Sequence, residues 1–228
     1  MAKAARTVLV TGANRGIGLA LCRLFAERGD RVVAVSRAPG APPPALAALP
    51  GVEVETGVEL TSDAAVAALA ERRAGEHIDV LVANAGILRE DDLETVDLDV
   101  VREQMEVNAL APLRVVRALL PNLGAGSKVA LITSRMGSIG DNTSGGYFGY
   151  RMSKAALNAA GVSLALDLRS RGVAVAILHP GYVRTDMTGN AGNVAPDDAA
   201  RDLAARIDDL TLATSGGFWH ANGQHLPW

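Results

Sequence analysis

A tyrosine and a lysine are four residues apart in the stretch GYRMSKAALN (149–158). This spacing places Tyr150 and Lys154 on one face of a helix, one turn apart. A free phenol, with a pKa of about 10, does not exchange protons readily near neutrality, and a neighbouring ammonium lowers that pKa because it stabilises the phenolate. The chain has two other lysines, Lys3 and Lys128. The pair is therefore a candidate for proton transfer, although a solvated helix lysine would show the same spacing.

Further polar residues stand where they can join this pair. Ser134 ends an apolar strand pattern, and ligands of open parallel sheets bind at the carboxyl ends of strands. Its hydroxyl is predicted to hydrogen-bond a substrate carbonyl, although a turn residue would occupy the same place. Pro112 lies inside a helical pattern and leaves the carbonyl of Asn108 without its helical donor. We expect a water bound there to extend a proton relay beside Lys154, although a packing kink would equally explain the proline.

A glycine-rich turn, TGANRGIG (11–18), joins the first apolar run to the first helical pattern. Gly12, Gly16 and Gly18 permit a tight turn and the close approach of a pyrophosphate, which the positive end of the helix dipole attracts. No Gly-Lys-Ser/Thr follows, so a P-loop is excluded. The turn predicts a dinucleotide site, although such a turn also occurs for structural reasons alone.

The second apolar run ends in Ser36-Arg37. An NAD site places an acidic residue about 20 residues beyond the glycines to bind the ribose 2′-hydroxyl, and no acid stands here. The guanidinium of Arg37, together with that of Arg15, is predicted to bind a 2′-phosphate, although both could be ordinary exposed arginines. The sequence therefore favours NADP(H) over NAD(H).

Short apolar runs alternate with longer helical patterns along the whole chain. The predicted strands lie within 7–12, 31–37, 52–60, 78–86, 127–134 and 173–181, and the predicted helices are 16–29, 62–75, 97–123, 150–172 and 196–208. Continuously apolar strands that alternate with helices indicate a parallel sheet covered on both faces. We therefore expect an α/β chain forming one doubly wound domain over 1–228, in which 186–228 supply a substrate loop and a C-terminal segment.

Composition restricts the class of protein. Of the 228 residues 49% are hydrophobic and 21% charged, and the net charge of −3 argues against binding to nucleic acid or to an acidic membrane surface. One cysteine, Cys22, precludes an intrachain disulfide. With no long apolar leader or 18-residue apolar run, the chain is predicted to be cytoplasmic and not a membrane protein. No metal site is predicted.

Together, TGANRGIG, NAG (84–86), Asn108, Ser134, YRMSK (150–154) and PGYVRT (180–185) resemble the short-chain dehydrogenase/reductases. The resemblance covers nearly the whole chain, implies a single-domain Rossmann-type fold, and is closest to the C-factor/sniffer-like carbonyl reductase branch. It implies a catalytic tetrad. In it Tyr150 acts as acid/base, Lys154 holds the ribose and tunes Tyr150, Ser134 orients the carbonyl, and Asn108 holds the relay water.

The resemblance also implies the cofactor contacts. The expected cofactor-binding residues are Gly12, Asn14, Arg15, Gly16, Ile17, Gly18, Arg37, Glu59, Leu60, Asn84, Ala85, Gly86, Tyr150, Lys154, Pro180, Gly181, Val183 and Thr185. Glu59 departs from the family's usual aspartate. Ser134 and Tyr150 are 16 positions apart, against a common 13, so Ser138 and Tyr147 are rivals for their roles.

These residues predict an NADPH-dependent oxidoreductase that reduces a ketone or aldehyde to an alcohol. The alternative is a nucleotide-binding regulatory or signalling protein of C-factor type with little turnover. The two long helices are apolar nearly all round, which predicts a homodimer or homotetramer formed through them, with Ala159, Val162 and Leu166 near their symmetry mates. An apolar mouth for the substrate is expected from Tyr147, Phe148, Met187 and Trp219.

Overall fold

The computed structural model describes residues 5–228, which form a seven-stranded, all-parallel sheet in the order β3-β2-β1-β4-β5-β6-β7. The strands are β1 Thr7–Thr11, β2 Arg31–Val35, β3 Val52–Glu55, β4 Val80–Ala83, β5 Lys128–Ile132, β6 Ala174–His179 and β7 Phe218–His220. The order reverses between β1 and β4, so this is the doubly wound sheet that the sequence predicts. The switch point lies at the carboxyl ends of these two strands, where open α/β sheets bind ligands.

Helices cover both faces of the sheet. They are α1 Gly16–Glu27, α2 Pro44–Ala47, α3 Asp63–Arg72, α4 Leu98–Met105, α5 Ala111–Ala118, α6 Phe148–Asp167 and α7 Pro196–Asp209. Because side chains alternate along a strand, Val8 and Val10 pack into one core with α1 and α7, whereas Leu9 packs into the other with α5 and α6. Among residues 5–228 no helix is both long and apolar enough to cross a lipid bilayer.

The predicted helix 97–123 is not one continuous α-helix. Between α4 and α5 the chain forms a π-helical turn over Glu106–Leu110, and a 3₁₀ turn over Leu120–Asn122 follows α5. In the π turn the Ala111 N–H bonds to the carbonyl of Glu106, five residues back. Pro112, which has no N–H of its own, follows directly, so the irregularity expected at this proline takes the form of a wider turn.

The seventh strand is absent from the sequence prediction. Phe218–His220 pairs in parallel with the end of β6, and the Phe218 side chain is fully buried. The ring of Trp228 stacks on that of Phe218, with ring centroids 5.3 Å apart. Three residues are too few to give a periodic signal, so burial of Phe218 and pairing with β6 define this strand rather than its own pattern.

Candidate active site

The predicted proton-transfer pair lies on α6 directly beside the end of β5. Tyr150 is 7% exposed and Lys154 is 4% exposed. The Ser134 hydroxyl, two residues beyond β5, accepts a hydrogen bond from the Met136 N–H at 3.1 Å, and its proximity to the Tyr150 phenol lowers the pKa of that phenol. The Lys154 Nζ lies 5.8 Å from the centre of the Tyr150 ring and donates to the carbonyl of Ile132 at 3.0 Å. The structure therefore brings serine, tyrosine and lysine into one buried cluster.

Burial dominates the protonation of this cluster. It raises the pKa of Tyr150 to about 12, although the nearby Ser134 side chain partly opposes this rise, and it lowers the pKa of Lys154 to about 8. Burial outweighs the lowering of the Tyr150 pKa that Lys154 is expected to cause, because the charged forms of both side chains lose their hydration. The phenol is therefore held protonated at neutral pH, in the state that donates a proton.

The two rival residues lie outside this cluster. The Ser138 hydroxyl donates to the carbonyl of Trp228 at 3.1 Å and accepts from the Asp141 N–H at 3.1 Å, so it is directed to the tail of the chain. Tyr147 precedes α6 with a left-handed backbone (φ 53°), and burial and the nearby Glu90 raise its pKa. Neither residue lines the cavity described below, whereas Ser134 and Tyr150 do.

A short turn fixes Ser134 against α6. After β5 the chain forms a 3₁₀ turn, Arg135–Gly137, that packs on the backbone of α6. The Asn158 side chain accepts a hydrogen bond from the Thr133 hydroxyl at 2.7 Å and donates to the Gly137 carbonyl at 3.4 Å. One side chain of α6 thus holds the residues on both sides of Ser134, which sets the serine relative to the tyrosine.

The N-terminus of α6 is capped from a distant loop. The Asp91 carboxylate accepts hydrogen bonds from the N–H groups of Phe148 and Gly149, and its carbonyl accepts one from Tyr147 at 2.7 Å. A carboxylate at this end also interacts favourably with the helix dipole. The cap lies at the residues just before Tyr150, and it explains why α6 begins two residues earlier than predicted.

Asn108 lies in the π turn and is completely buried. Its side-chain oxygen accepts from the Ile87 N–H at 2.8 Å, and its amide donates to the Ile87 carbonyl at 2.8 Å and to the Ser153 hydroxyl at 3.0 Å. A Cβ at Gly86 would stand 3.1 Å from the Asn108 oxygen and 3.6 Å from Lys154 Nζ. Asn108 therefore joins the segment after β4 to α6, next to the lysine.

The glycine-rich turn closes on the end of β4. Gly12 has a left-handed backbone (φ 64°), and a Cβ there would meet the Ala85 backbone at 2.8 Å. The Asn84 amide donates to the carbonyls of Thr11 at 3.0 Å and Gly12 at 3.2 Å, so Asn84 shapes the turn. Arg15 precedes α1 without capping it through its side chain, which leaves the first N–H groups of this helix available to an anion.

The two arginines expected at a 2′-phosphate differ in their partners. Arg37 is 77% exposed, and its Nε lies 4.0 Å from Glu59, whose carboxylate also accepts from Thr61. Arg15 instead forms a 2.7 Å ion pair with Asp186, in the loop that follows β6. Sequence reasoning missed this pair, which links the glycine-rich turn to the loop over the cleft. Of the other expected contacts, Asn14 is exposed and the carbonyl of Leu60 accepts from Arg114 at 3.0 Å.

A cavity of about 470 Å³ opens beside Ser134 and Tyr150. Among the expected site residues its wall includes Ile17, Ser134, Tyr150, Pro180, Gly181, Val183 and Thr185. The residues that sequence reasoning did not assign to the site are Leu88, Thr133, Arg135, Met136, Asp141, Thr143, Arg151, His179, Tyr182 and Thr188. Of the four residues expected at an apolar mouth, Met187 lines the wall, and Tyr147, Phe148 and Trp219 do not.

His179 could have been identified from its position, because it ends β6 at the ligand-binding edge. Its ring meets that of His220 edge to face, with centroids 4.9 Å apart, and its Nδ1 is buried without a hydrogen-bond partner among residues 5–228. Burial, with the charges of His220, Arg135 and Lys154, lowers the pKa of His179 to about 3. The ring is therefore neutral and contributes a polar edge to the wall without a charge.

Comparison with known proteins agrees with this geometry. The sequence profile of a family described as "short chain dehydrogenase" matches residues 6–194. The 1-hydroxy-2-glutathionyl-2-methyl-3-butene dehydrogenase of Rhodococcus sp. (strain AD45) is 44% identical over 228 residues, covering 97% of this chain and 99% of that protein. The C-signal of Myxococcus xanthus is 45% identical over 154 residues, covering 66% of this chain and 93% of that protein.

A solved structure extends the similarity to three dimensions. The NADPH-bound carbonyl reductase from chicken fatty liver superposes with a TM-score of 0.89 at 30% sequence identity, over 98% of this chain and 99% of that one. The fold of the chain and its sequence motifs thus indicate the same protein family.

Proposed function

We propose a function from one established fact: the chain belongs to the short-chain dehydrogenase family. Within that family of oxidoreductases, the function is the NADPH-dependent reduction of a ketone or aldehyde to an alcohol. The observation that carries this proposal is the buried Tyr150 phenol, which lies with Ser134 at the wall of an open cavity and has Lys154 behind its ring. The similarity to an NADPH-bound carbonyl reductase supports it.

The residues present fit a dinucleotide. The glycine-rich turn leaves the N-terminus of α1 free for a pyrophosphate, and Ile17 and Thr185 line the same cavity as Tyr150. Lys154 has three N–H groups and donates one to Ile132, which leaves donors for ribose hydroxyls. Arg37, exposed at the end of β2, would bind a 2′-phosphate. When bound, NADPH supplies the hydride that reduces the carbonyl carbon.

Residues of the chain itself donate the proton and orient the substrate. Tyr150 donates its hydroxyl proton to the substrate oxygen, and Ser134 orients that oxygen by a hydrogen bond. Positioned acid catalysis of this kind contributes about 10²–10⁴-fold to the rate. The Lys154 ammonium stabilises the phenolate that remains, because opposite charges attract strongly where water is excluded. Asn108 positions the segment after β4 beside Lys154 and would hold a relay water through its main-chain carbonyl.

A second candidate function is nucleotide binding in a regulatory or signalling role with little turnover. The 45% identity to the C-signal of Myxococcus xanthus favours it. The cluster of Ser134, Tyr150 and Lys154 favours turnover, since a binding module has no need of a buried proton donor at the cavity wall.

Steady-state oxidation of NADPH over a panel of ketones and aldehydes tests the proposal. The reverse reaction belongs in the same panel, with a hydroxylated glutathione conjugate as one substrate, because the Rhodococcus relative is named for such a compound. Carbonyl-dependent oxidation that is abolished in Tyr150→Phe supports a reductase. Tight NADPH binding without turnover on any substrate would favour the regulatory alternative.

A further inference from the structure

Two arginines line the wall of the cavity, and they differ in how their charge is balanced. The Arg135 guanidinium binds both carboxylate oxygens of Asp141, which also lines the wall, so these two charges compensate each other. Arg151 donates to the carbonyls of Gly146 at 3.2 Å and Met136 at 3.4 Å, and to the Ser144 hydroxyl at 2.9 Å. All three acceptors are neutral.

No carboxylate oxygen of residues 5–228 lies within 4.0 Å of the Arg151 guanidinium. Its positive charge is therefore uncompensated at the wall, and its three hydrogen bonds leave further N–H groups to donate, because a guanidinium carries five. Removal of a charge from water is unfavourable unless that charge is paired, so a half-buried guanidinium without a counterion favours an anionic ligand.

The other residues of the cavity wall leave the net charge of the wall positive. The charges of Arg135 and Lys154 help to hold His179 neutral, so no histidine charge alters the balance at neutral pH. Among the wall residues that carry a charge, Asp141 offsets Arg135, and Arg151 is left in excess. The hydroxyls of Thr143 and Tyr182 line the same wall and offer further donors, while Leu88, Met136 and Met187 provide apolar surface.

We propose that the substrate is an anionic carbonyl compound whose carboxylate binds the guanidinium of Arg151 while its carbonyl lies between Ser134 and Tyr150. This inference rests on the proposed function and adds the substrate class. The reaction is the reduction proposed above. The carbonyl carbon gains a hydride from NADPH, which becomes NADP⁺, and the carbonyl oxygen gains the Tyr150 proton. Arg151 touches the substrate away from the reacting atoms and acts in substrate specificity.

The competing role for Arg151 is structural, because its hydrogen bonds fasten the segment 136–146 to α6. Matched substrates separate the two roles. We would measure kcat/KM with NADPH for 3- and 4-formylbenzoate and for their methyl esters, which keep the shape and lose the charge. The wild-type protein is expected to prefer the carboxylates by about 10- to 100-fold, the range of a charged hydrogen-bonded pair.

Arg151→Gln is expected to abolish this preference through a higher KM for the carboxylates, while turnover of the esters stays within about twofold of wild type. Arg151→Lys is expected to restore part of the preference for carboxylates, because an ammonium keeps the positive charge but lacks the planar pair of donors of a guanidinium. Arg89→Gln is the matched control. Arg89 is exposed, does not line the cavity and donates its side chain to the Leu88 carbonyl, so its loss changes the net charge equally and should leave the preference intact.

Equal loss of ester and carboxylate turnover in a folded Arg151→Gln protein would overturn the inference and assign the residue to loop structure. If that variant does not fold, inhibition of the wild-type protein by benzoate and benzamide tests the inference instead. Benzoate should inhibit ester reduction competitively, more strongly than benzamide and less strongly at high salt, and equal inhibition by both would overturn the inference. If the protein reduces the esters and shows no preference for the carboxylates, this inference is wrong and the proposed function stands. If it reduces neither the esters nor the carboxylates, the proposed function is contradicted as well.

Discussion

Gly137 rests directly on the backbone of Lys154: a Cβ built at Gly137 would stand 2.7 Å from the Lys154 carbonyl carbon and 2.9 Å from the Ala155 nitrogen. Both contacts are with main-chain atoms of α6, which cannot move aside without moving the helix. We therefore expect Gly137→Ala to displace the turn that carries Ser134. Because misplacement by about 1 Å can cost about 10²-fold in rate, kcat should fall by about one to two orders of magnitude.

Gly124→Ala provides a control for that substitution. Gly124 lies before β5, its backbone is not left-handed, and an added Cβ would make ordinary contacts with the His77 ring at 3.6 Å and 3.8 Å. We expect its kcat and thermal midpoint to stay close to wild type. Steady-state kinetics together with thermal unfolding separates the two outcomes, and wild-type kcat in Gly137→Ala would show that this packing does not position the serine.

Tyr150→Phe removes the transferable proton and keeps the ring. We expect kcat to fall by at least about 10²-fold, while the affinity for NADPH changes little. Tyr147→Phe is the matched control, because that side chain lies outside the cavity wall and should leave turnover intact. Stopped-flow reduction of a model aldehyde and NADPH fluorescence titration measure the two quantities. Full activity in Tyr150→Phe with loss in Tyr147→Phe would reverse the assignment.

Arg37→Asp should invert the preference between NADPH and NADH. The guanidinium is 77% exposed at the end of β2 with Glu59 4.0 Å away, so it is available to a 2′-phosphate. A charged hydrogen bond of this kind is worth about 1.5–3 kcal/mol, and the new carboxylate adds repulsion. Dissociation constants for both nucleotides measure the change. Arg171→Asp, before β6 and away from the ligand-binding edge, is the charge-matched control, and an unchanged ratio in Arg37→Asp would place the phosphate elsewhere.

His179 should make the protein sensitive to acid. Its folded pKa of about 3 lies below the unfolded value near 6.5, so the unfolded chain binds more protons across that window. Stability is therefore complete above pH 6.5 and falls as the pH drops toward 3, by up to about 1.4 kcal/mol per pH unit. His179→Asn should flatten this slope in urea unfolding measured from pH 6.5 to 4. His77→Asn, at a half-exposed position, is the control, and identical slopes in all three proteins would contradict the effect.

We also expect a homodimer, or a tetramer of two dimers, formed through α6. Met152, Ala159 and Leu166 are seven residues apart and all exposed, which leaves an apolar stripe along one side of this helix. Light scattering at micromolar concentration should give a multiple of 23.6 kDa. Leu166→Glu should shift it toward the monomer, whereas Leu212→Glu, at an exposed apolar residue elsewhere, should not. If the wild-type protein is monomeric both with and without NADPH, the apolar stripe does not form a subunit interface.

The sheet and the cluster of Ser134, Tyr150 and Lys154 were predictable because both depend on local patterns. Continuously apolar strands between helical patterns fix a parallel sheet, and Ser134, at a strand end, is then brought to Tyr150 and Lys154 on the following helix. Helical spacing alone puts the tyrosine and the lysine on one face. Each of these inferences needs only the residues themselves and the geometry of one element.

The cavity wall and the protonation of the cluster were not predictable in the same way. Arg135, Arg151 and His179 acquire their roles from partners brought close by the tertiary fold, such as Asp141 and the loop 136–146. The pKa of Tyr150 depends on burial, which a spacing of four residues does not report. The strand Phe218–His220 exists because β6 and Trp228 lie beside it, and not through any periodicity of its own.

The π turn at Glu106–Leu110 holds one residue more than an α-helix requires over the same length. Deletion of one residue there would restore the four-residue hydrogen-bond spacing and would place Pro112, which lacks an N–H, inside a continuous α-helix. The helix would therefore gain no stability, and Asn108 would lose its alignment with Ile87 and Ser153. A deletion variant that folds, unfolds at no higher temperature than the wild type and is less active would show that this extra residue is needed for the alignment of Asn108.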